Sequence, residues 1–177
     1  MTSTYYLTPN AVAGAPAGSG YSPDGTLPAG AVECTQAEAQ NPGAYTITAG
    51  AIAPWLPSLA QAQATQIATL SASYAAAVAQ PVAYTSKGGV SKDFDADPAS
   101  VTTLQSALAG YTPAGAVPAG FYWVASDNTQ VAFTLADLQG LAQALLAQGW
   151  AAFQKLQTLK AQVAAATTVA AVEAVVW

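Results

Sequence analysis

The sequence predicts an α+β fold, mostly α: a long C-terminal helix, a second long helix and short β-hairpins, preceded by an irregular or β N-terminal arm. Three observations lead there. Apolar residues recur at steps of three and four from Leu135 to Val163, the period of a helix. A narrower stripe of the same period runs between Pro57 and Pro81. Short alternating or aromatic runs elsewhere are separated by Gly, Pro, Asp and Asn, the residues that turns require. The turn signals concentrate early. They divide the chain into an arm at residues 1–56, docking on a partner, and a helical α+β domain at residues 57–177.

In the arm, Thr4-Tyr5-Tyr6-Leu7-Thr8 reads as a short strand stopped by Pro9. Residues 10–30 are small and turn-rich, with Ser22-Pro23-Asp24-Gly25 the clearest turn. Ala31-Val32-Glu33-Cys34 is a brief strand. Thr35 and Glu38 have capping-box spacing and start a single helical turn. Asn41-Pro42-Gly43 turns the chain. Ala44 to Thr48 alternates as a strand does, with Gly50 and Pro54 ending it.

The domain opens on a helix over residues 57–80. Pro57 suits a first turn and Pro81 ends the run. Leu59, Ile67, Leu70, Tyr74, Ala77 and Val78 mark its apolar face, and Gln61, Gln63, Gln66, Ser71 and Ser73 occupy the rest. Val82-Ala83-Tyr84-Thr85 is a strand turned by Lys87-Gly88-Gly89 into Val90-Ser91. Asp97-Pro98 starts the next helix, an N-cap carboxylate followed by proline at the first helical position. Val101, Leu104 and Leu108 share one face of it, and Gly110 is its stop. Residues 111–120 connect to a hairpin, Phe121–Val124 and Gln130–Phe133 around Ser126-Asp127-Asn128-Thr129. Thr167-Thr168 caps a last helix from Val169 to Val176.

The helix from Thr134 to Ala166 organises the rest. Thr134 and Asp137 form a capping box, and Lys155 and Lys160 lie in the half where positive charge suits the helix dipole. Unbroken, it is a rod of roughly 48 Å. Its first stripe is Leu135, Leu138, Ala142, Leu145, Gly149, Ala152, Leu156, Leu159 and Val163. A second stripe of Leu141, Leu146, Trp150 and Phe153 widens the apolar surface beyond one seam. Two readings follow: burial in the chain's own core, or burial against copies of itself or another protein. The second makes Tyr5, Tyr6, Trp55, Ile67, Leu70, Tyr74, Leu141, Leu146, Trp150 and Phe153 the candidate interface residues.

Composition narrows the function. Only 7% of the 177 residues are charged, against a typical ~25%. Four lysines, no arginine and a formal net charge of −5 argue against nucleic acid, whose affinity rests on cationic contacts to phosphate. No histidine is present, so no histidine-based triad or metal site is expected, and Cys34 has no imidazole to activate it. Cys34 reads instead as a structural thiol of a reducing compartment. Asp93, Asp95 and Asp97 alternate like the opening of a calcium loop, but Pro98 and Leu104 stand where an EF-hand needs Gly and Glu. Asp127-Asn128 reads as turn residues rather than a catalytic pair. The run from Gly14 to Gly20 lacks the lysine of a phosphate loop. The N-terminus lacks the basic and apolar regions of a secretory signal, and no apolar run is long enough for a membrane span. The expectation is no enzyme, no cofactor, no membrane insertion, and synthesis in the cytoplasm.

The segment from about residue 57 to 177 resembles a domain of unassigned function found at the C-termini of bacteriophage tail-fibre and tail-fibre-assembly proteins. The matching pieces are Phe94-Asp95-Ala96-Asp97 with Ser100, Tyr122-Trp123, Ser126-Asp127-Asn128, Thr134 opening a long helix, and the closing Ala165-Ala166-Thr167-Thr168. It departs from the usual pattern in lacking basic residues after Asp97. The resemblance implies a structural component of a phage tail, a small fibre or a fibre–tail adaptor. It would sit in the virion, help host attachment, and pack as a homo-oligomer, most simply a trimer, and on other tail proteins. A tail-fibre assembly chaperone, absent from the finished particle, is the alternative. Exposed aromatics Tyr5, Tyr6, Tyr21 and Trp55 also leave a carbohydrate-binding module open.

Overall fold

The structure, a computed structural model, describes residues 3–12 and 15–177. Met1 and Thr2 of the N-terminal stretch, and Gly14 of the Gly14–Gly20 run, lie outside the described residues. The chain forms two compact units, Met1–Ser58 and Leu59–Trp177.

In the first unit, β1 (Thr4–Thr8) lies between β2 (Gly18–Ser22) and β3 (Val32–Cys34), antiparallel to both. Strand β2 falls in a stretch expected to be only turns, because Gly18-Ser19-Gly20 carries no strand signature. Packing explains it. Tyr6 stands opposite Gly20, and a Cβ there would collide with the tyrosine ring. Leu7 is fully buried, and Tyr5 meets Tyr21 with ring centroids 5.2 Å apart. The Thr35–Glu38 capping box opens α1 (Gln36–Gln40) with both of its halves formed. After a 3-10 turn at Pro42–Ala44, β4 (Tyr45–Thr48) and β5 (Ala51–Pro54) make a hairpin. Gly50 does end β4, as the second residue of a two-residue turn, whereas Pro54 is no stop but the last residue of β5, paired with Tyr45. Ala49 and Gly50 both take positive φ, 53° and 79°, as a tight hairpin of matching twist demands.

In the second unit, α2 (Leu59–Val78) is followed by the hairpin β6 (Val82–Thr85) and β7 (Ser91–Phe94). Helix α3 (Pro98–Tyr111) is capped by Asp97, whose carboxylate accepts from the N–H groups of Ala99 and Ser100. Gly110 does not stop α3. It keeps helical φ, the helix continues to Tyr111, and Thr112 caps it through Leu108; the left-handed glycine is Gly115, three residues on. Hairpin β8 (Tyr122–Val124) and β9 (Gln130–Ala132) leads into α4 (Leu135–Ala165), and α5 (Val169–Glu173) closes the unit. Helix α5 ends at Glu173, short of the expected Val176. The Gln66 amide donates to the Val175 carbonyl and holds the tail outside the helix.

Two cores form along α4. Around its N-terminal half, Phe94, Leu104, Ala125, Val131, Phe133, Leu138 and Leu141 gather from both hairpins, α3 and α4. The Phe94 and Phe133 rings lie 5.2 Å apart, with Tyr84 against both. Tyr84 also explains Gly140, where a Cβ would collide with its ring. Around the C-terminal half, Ala62, Leu70, Leu156, Val163 and Val172 gather from α2, α4 and α5. Helix α2 runs antiparallel to α4, and two glutamines fix the pairing. Gln63 Nε2 donates to the carbonyls of Val163 and Ala166, at 3.1 and 3.4 Å. Gln148 Nε2 donates to the Gln80 carbonyl at 2.8 Å, beyond the end of α2. Each helix thus satisfies carbonyls that the other's C-terminus leaves open. Among the described residues, no helix is long and apolar enough to cross a membrane.

Candidate functional site

Between the two cores, the middle of α4 is left uncovered on one side. Leu146, Trp150 and Phe153 are 66%, 60% and 40% exposed. Their spacing of four and three puts them on one line of the helix. Trp150 and Phe153 stack, centroids 5.8 Å apart at 23°. Gln143, Ala147, Gln154 and Gln157, the exposed neighbours, carry no charge. Lys155 turns away and sits 4.6 Å from the Trp177 ring centroid. The three apolar side chains present on the order of 300–400 Å², since a buried aromatic covers about 150–250 Å². That matches the largest apolar patch of an ordinary monomer, the kind of patch that is often functional.

The structure places the other candidate interface residues elsewhere. Leu141 belongs to the first core and is 1% exposed; Leu70 belongs to the second and is also 1% exposed. Their own chain closes both to a partner. Ile67 and Tyr74 are half-buried and pack on the second core. Helix periodicity puts all four on apolar faces but does not say what those faces meet. Tyr5, Tyr6 and Trp55 are half-buried in the first unit. The stripe that remains is Leu146, Trp150 and Phe153. Sequence reading missed the glutamine caps, which look like ordinary solvated residues.

The polar groups serve the fold. Asp137 is 1% exposed. One carboxylate oxygen accepts from the Thr134 N–H at 2.8 Å and the Thr134 hydroxyl at 2.6 Å. The other accepts from the Lys87 N–H at 2.6 Å and the Tyr84 hydroxyl at 3.3 Å. Burial pushes its pKa up, but the bonds from Thr134, Lys87 and Tyr84 outweigh that and leave it below the usual value. Burial and the Asp137 charge together raise the Tyr84 phenol. The network ties the β6–β7 turn to the start of α4. Burial, then the charge of Glu38, raises the Cys34 thiol, the opposite of an activated nucleophile.

Two shallow surface clefts flank the hairpins. One, about 350 Å³, is lined by Ala83, Ser91, Lys92, Asp93, Ser126 and Asp127. The Lys92–Asp127 ion pair, 2.6 Å long, spans it. Hydrogen bonds from Lys92 and then Thr129 hold the Asp127 carboxyl far below the usual range. The Asp127 carboxylate also accepts from the Thr129 N–H, and Asn128 takes a φ of 63°, so the pair is a turn. The other cleft, about 420 Å³, includes Asp95, Ser100, Thr103, Tyr122 and Asn128. Asp97 is committed to capping α3. Among the described residues, no group of three or more His, Cys, Asp or Glu could hold a metal ion.

The profile of a family described as a domain of unknown function, DUF4376, matches residues 61–176, well over half of the chain. The chain belongs to the DUF4376 family. The DUF4376 region runs from the first turn of α2 nearly to the last residue, so both cores and the exposed stripe lie within it. No curated protein and no solved structure matches the chain.

Proposed function

We propose that this protein is a structural component of a bacteriophage tail, a small tail fibre or a fibre–tail adaptor. It resides in the virion tail, takes part in host attachment, and has no enzymatic activity of its own. It acts by packing against copies of itself, with a trimer favoured by the resemblance, and by docking on other tail proteins. The observation that carries this reading is the uncharged apolar stripe of Leu146, Trp150 and Phe153, uncovered at the middle of a 31-residue helix. A patch of this size is often functional, and stacked aromatics gain when another surface buries them. The scarcity of charge on the chain points the same way. Mass spectrometry of purified particles tests the reading. The chain is expected among the tail proteins in fixed proportion to them. Its presence in infected cells but not in finished particles would move it to the assembly-chaperone class.

A further inference from the structure

Residues from three separate motifs, Asp95 and Ser100, Tyr122 and Trp123, and Asn128, meet at the cleft of about 420 Å³. The fold accounts for most members of those motifs. Phe94 and Ala96 are buried, Asp97 caps α3, Trp123 packs on the first core, and Asp127 holds Lys92. The Ser126 N–H donates to the Asp93 carbonyl at 2.9 Å and joins the two hairpins. The side chains of Asp95, Tyr122 and Asn128 are left over. All three residues are exposed and line the cleft, and among the described residues their side chains make no hydrogen bond. The backbone of Asn128 is nevertheless fixed, because its N–H donates to the Ala125 carbonyl at 2.8 Å.

We propose that this cleft binds a neutral saccharide. The lining selects that class. The Ser100 hydroxyl donates to the Asp97 carboxylate and the Thr103 hydroxyl to the Ala99 carbonyl, so toward a ligand both can only accept. The Asp95 carboxylate also only accepts, whereas the Asn128 amide and the Tyr122 phenol can donate as well. No lysine lines the cleft, and Lys92 is paired with Asp127. An anion would meet a carboxylate without a counter-charge. An amine would suit Asp95, but it accepts nothing from Asn128 or Tyr122. Sugar hydroxyls donate and accept at once, so they serve Asp95, Ser100, Thr103 and Asn128 together. The apolar C–H face of a sugar ring suits the exposed ring of Tyr122. The volume lies within the range of small-molecule sites, roughly 300–1,000 Å³. This site stands apart from the assembly reading, since it shares no residue with the stripe on α4.

The test follows the Asn128 side-chain amide and the Trp123 indole N–H of the full-length, nitrogen-15-labelled chain by NMR. The probes are the methyl glycosides of glucose, galactose, mannose, rhamnose and N-acetylglucosamine, with methyl glucuronide, methyl galacturonide and lysine amide as charged counterparts. At least one neutral glycoside is expected to shift both signals saturably, and the charged probes are expected to leave them in place. Asp95→Ala and Tyr122→Ala are each expected to weaken that binding about tenfold. Both side chains are exposed, so the melting temperature of each variant should match the wild type. Gln105→Ala, on the exposed face of α3 outside the cleft, is the control and leaves binding unchanged. The proposal is overturned if no neutral glycoside shifts the two signals, or if a uronide or lysine amide binds in its place. Full affinity in Asp95→Ala and Tyr122→Ala would overturn it as well. None of these outcomes touches the assembly reading, which rests on Leu146, Trp150 and Phe153.

Discussion

Asp137 shows how one residue fixes several elements. Its carboxylate caps α4 through Thr134 and also receives the Lys87 N–H and the Tyr84 hydroxyl. Removing it leaves those part-buried donors without their acceptor. Asp137→Ala is expected to cost on the order of 3 kcal/mol in urea unfolding. The pH dependence follows from the direction of its shift. The folded pKa lies below the unfolded aspartate value of ~3.9, so the unfolded chain takes up protons first. The stabilisation is complete above that value and is lost as pH falls through the folded pKa. Asp24, Glu38, Asp97 and Asp127 shift in the same direction. Wild-type stability should therefore drop in acid, and Asp137→Asn should make the drop shallower. An unchanged acid slope in that variant would remove Asp137 from the account.

At the scale of the element, α4 carries three environments on one helix. Leu138 is fully buried in the first core, Leu156 is buried in the second, and Leu146 between them faces out. Leu138→Ala is expected to destabilise the chain by about 2–5 kcal/mol. Leu146→Ala is expected to change the stability of the dissociated chain by no more than about 0.5 kcal/mol. Denaturant midpoints of the two variants check the contrast, and equal losses would contradict it. The helix itself was legible in the sequence, from its capping box and its three-and-four spacing. The cover on each part was not. Leu141 and Leu146 were read as one stripe, but a spacing of five sets them about 140° apart around the helix, so Leu141 meets the first core while Leu146 faces out. The caps by Gln63 and Gln148 were illegible because a long-range hydrogen bond leaves no local pattern. Strand β2 was missed because Gly20 is chosen by the tyrosine across from it.

At the scale of the whole molecule, a broadly apolar α4 needs cover, and the chain supplies most of it. Helix α2 and α5 shield one half, α3 and the hairpins the other, and only the middle stays bare. The uncovered apolar stripe is thereby smaller than the sequence suggested and centred on Trp150. A patch of this size stands at the low end of what holds a stable complex, so the proposed assembly needs further surface beside it. The most direct measurement is the mass of the purified full-length chain by size-exclusion chromatography with light scattering, over a wide range of concentration. The account predicts a multiple of 17.7 kDa that falls toward one copy in Trp150→Ala. A well-folded wild-type chain of 17.7 kDa at every concentration would contradict it.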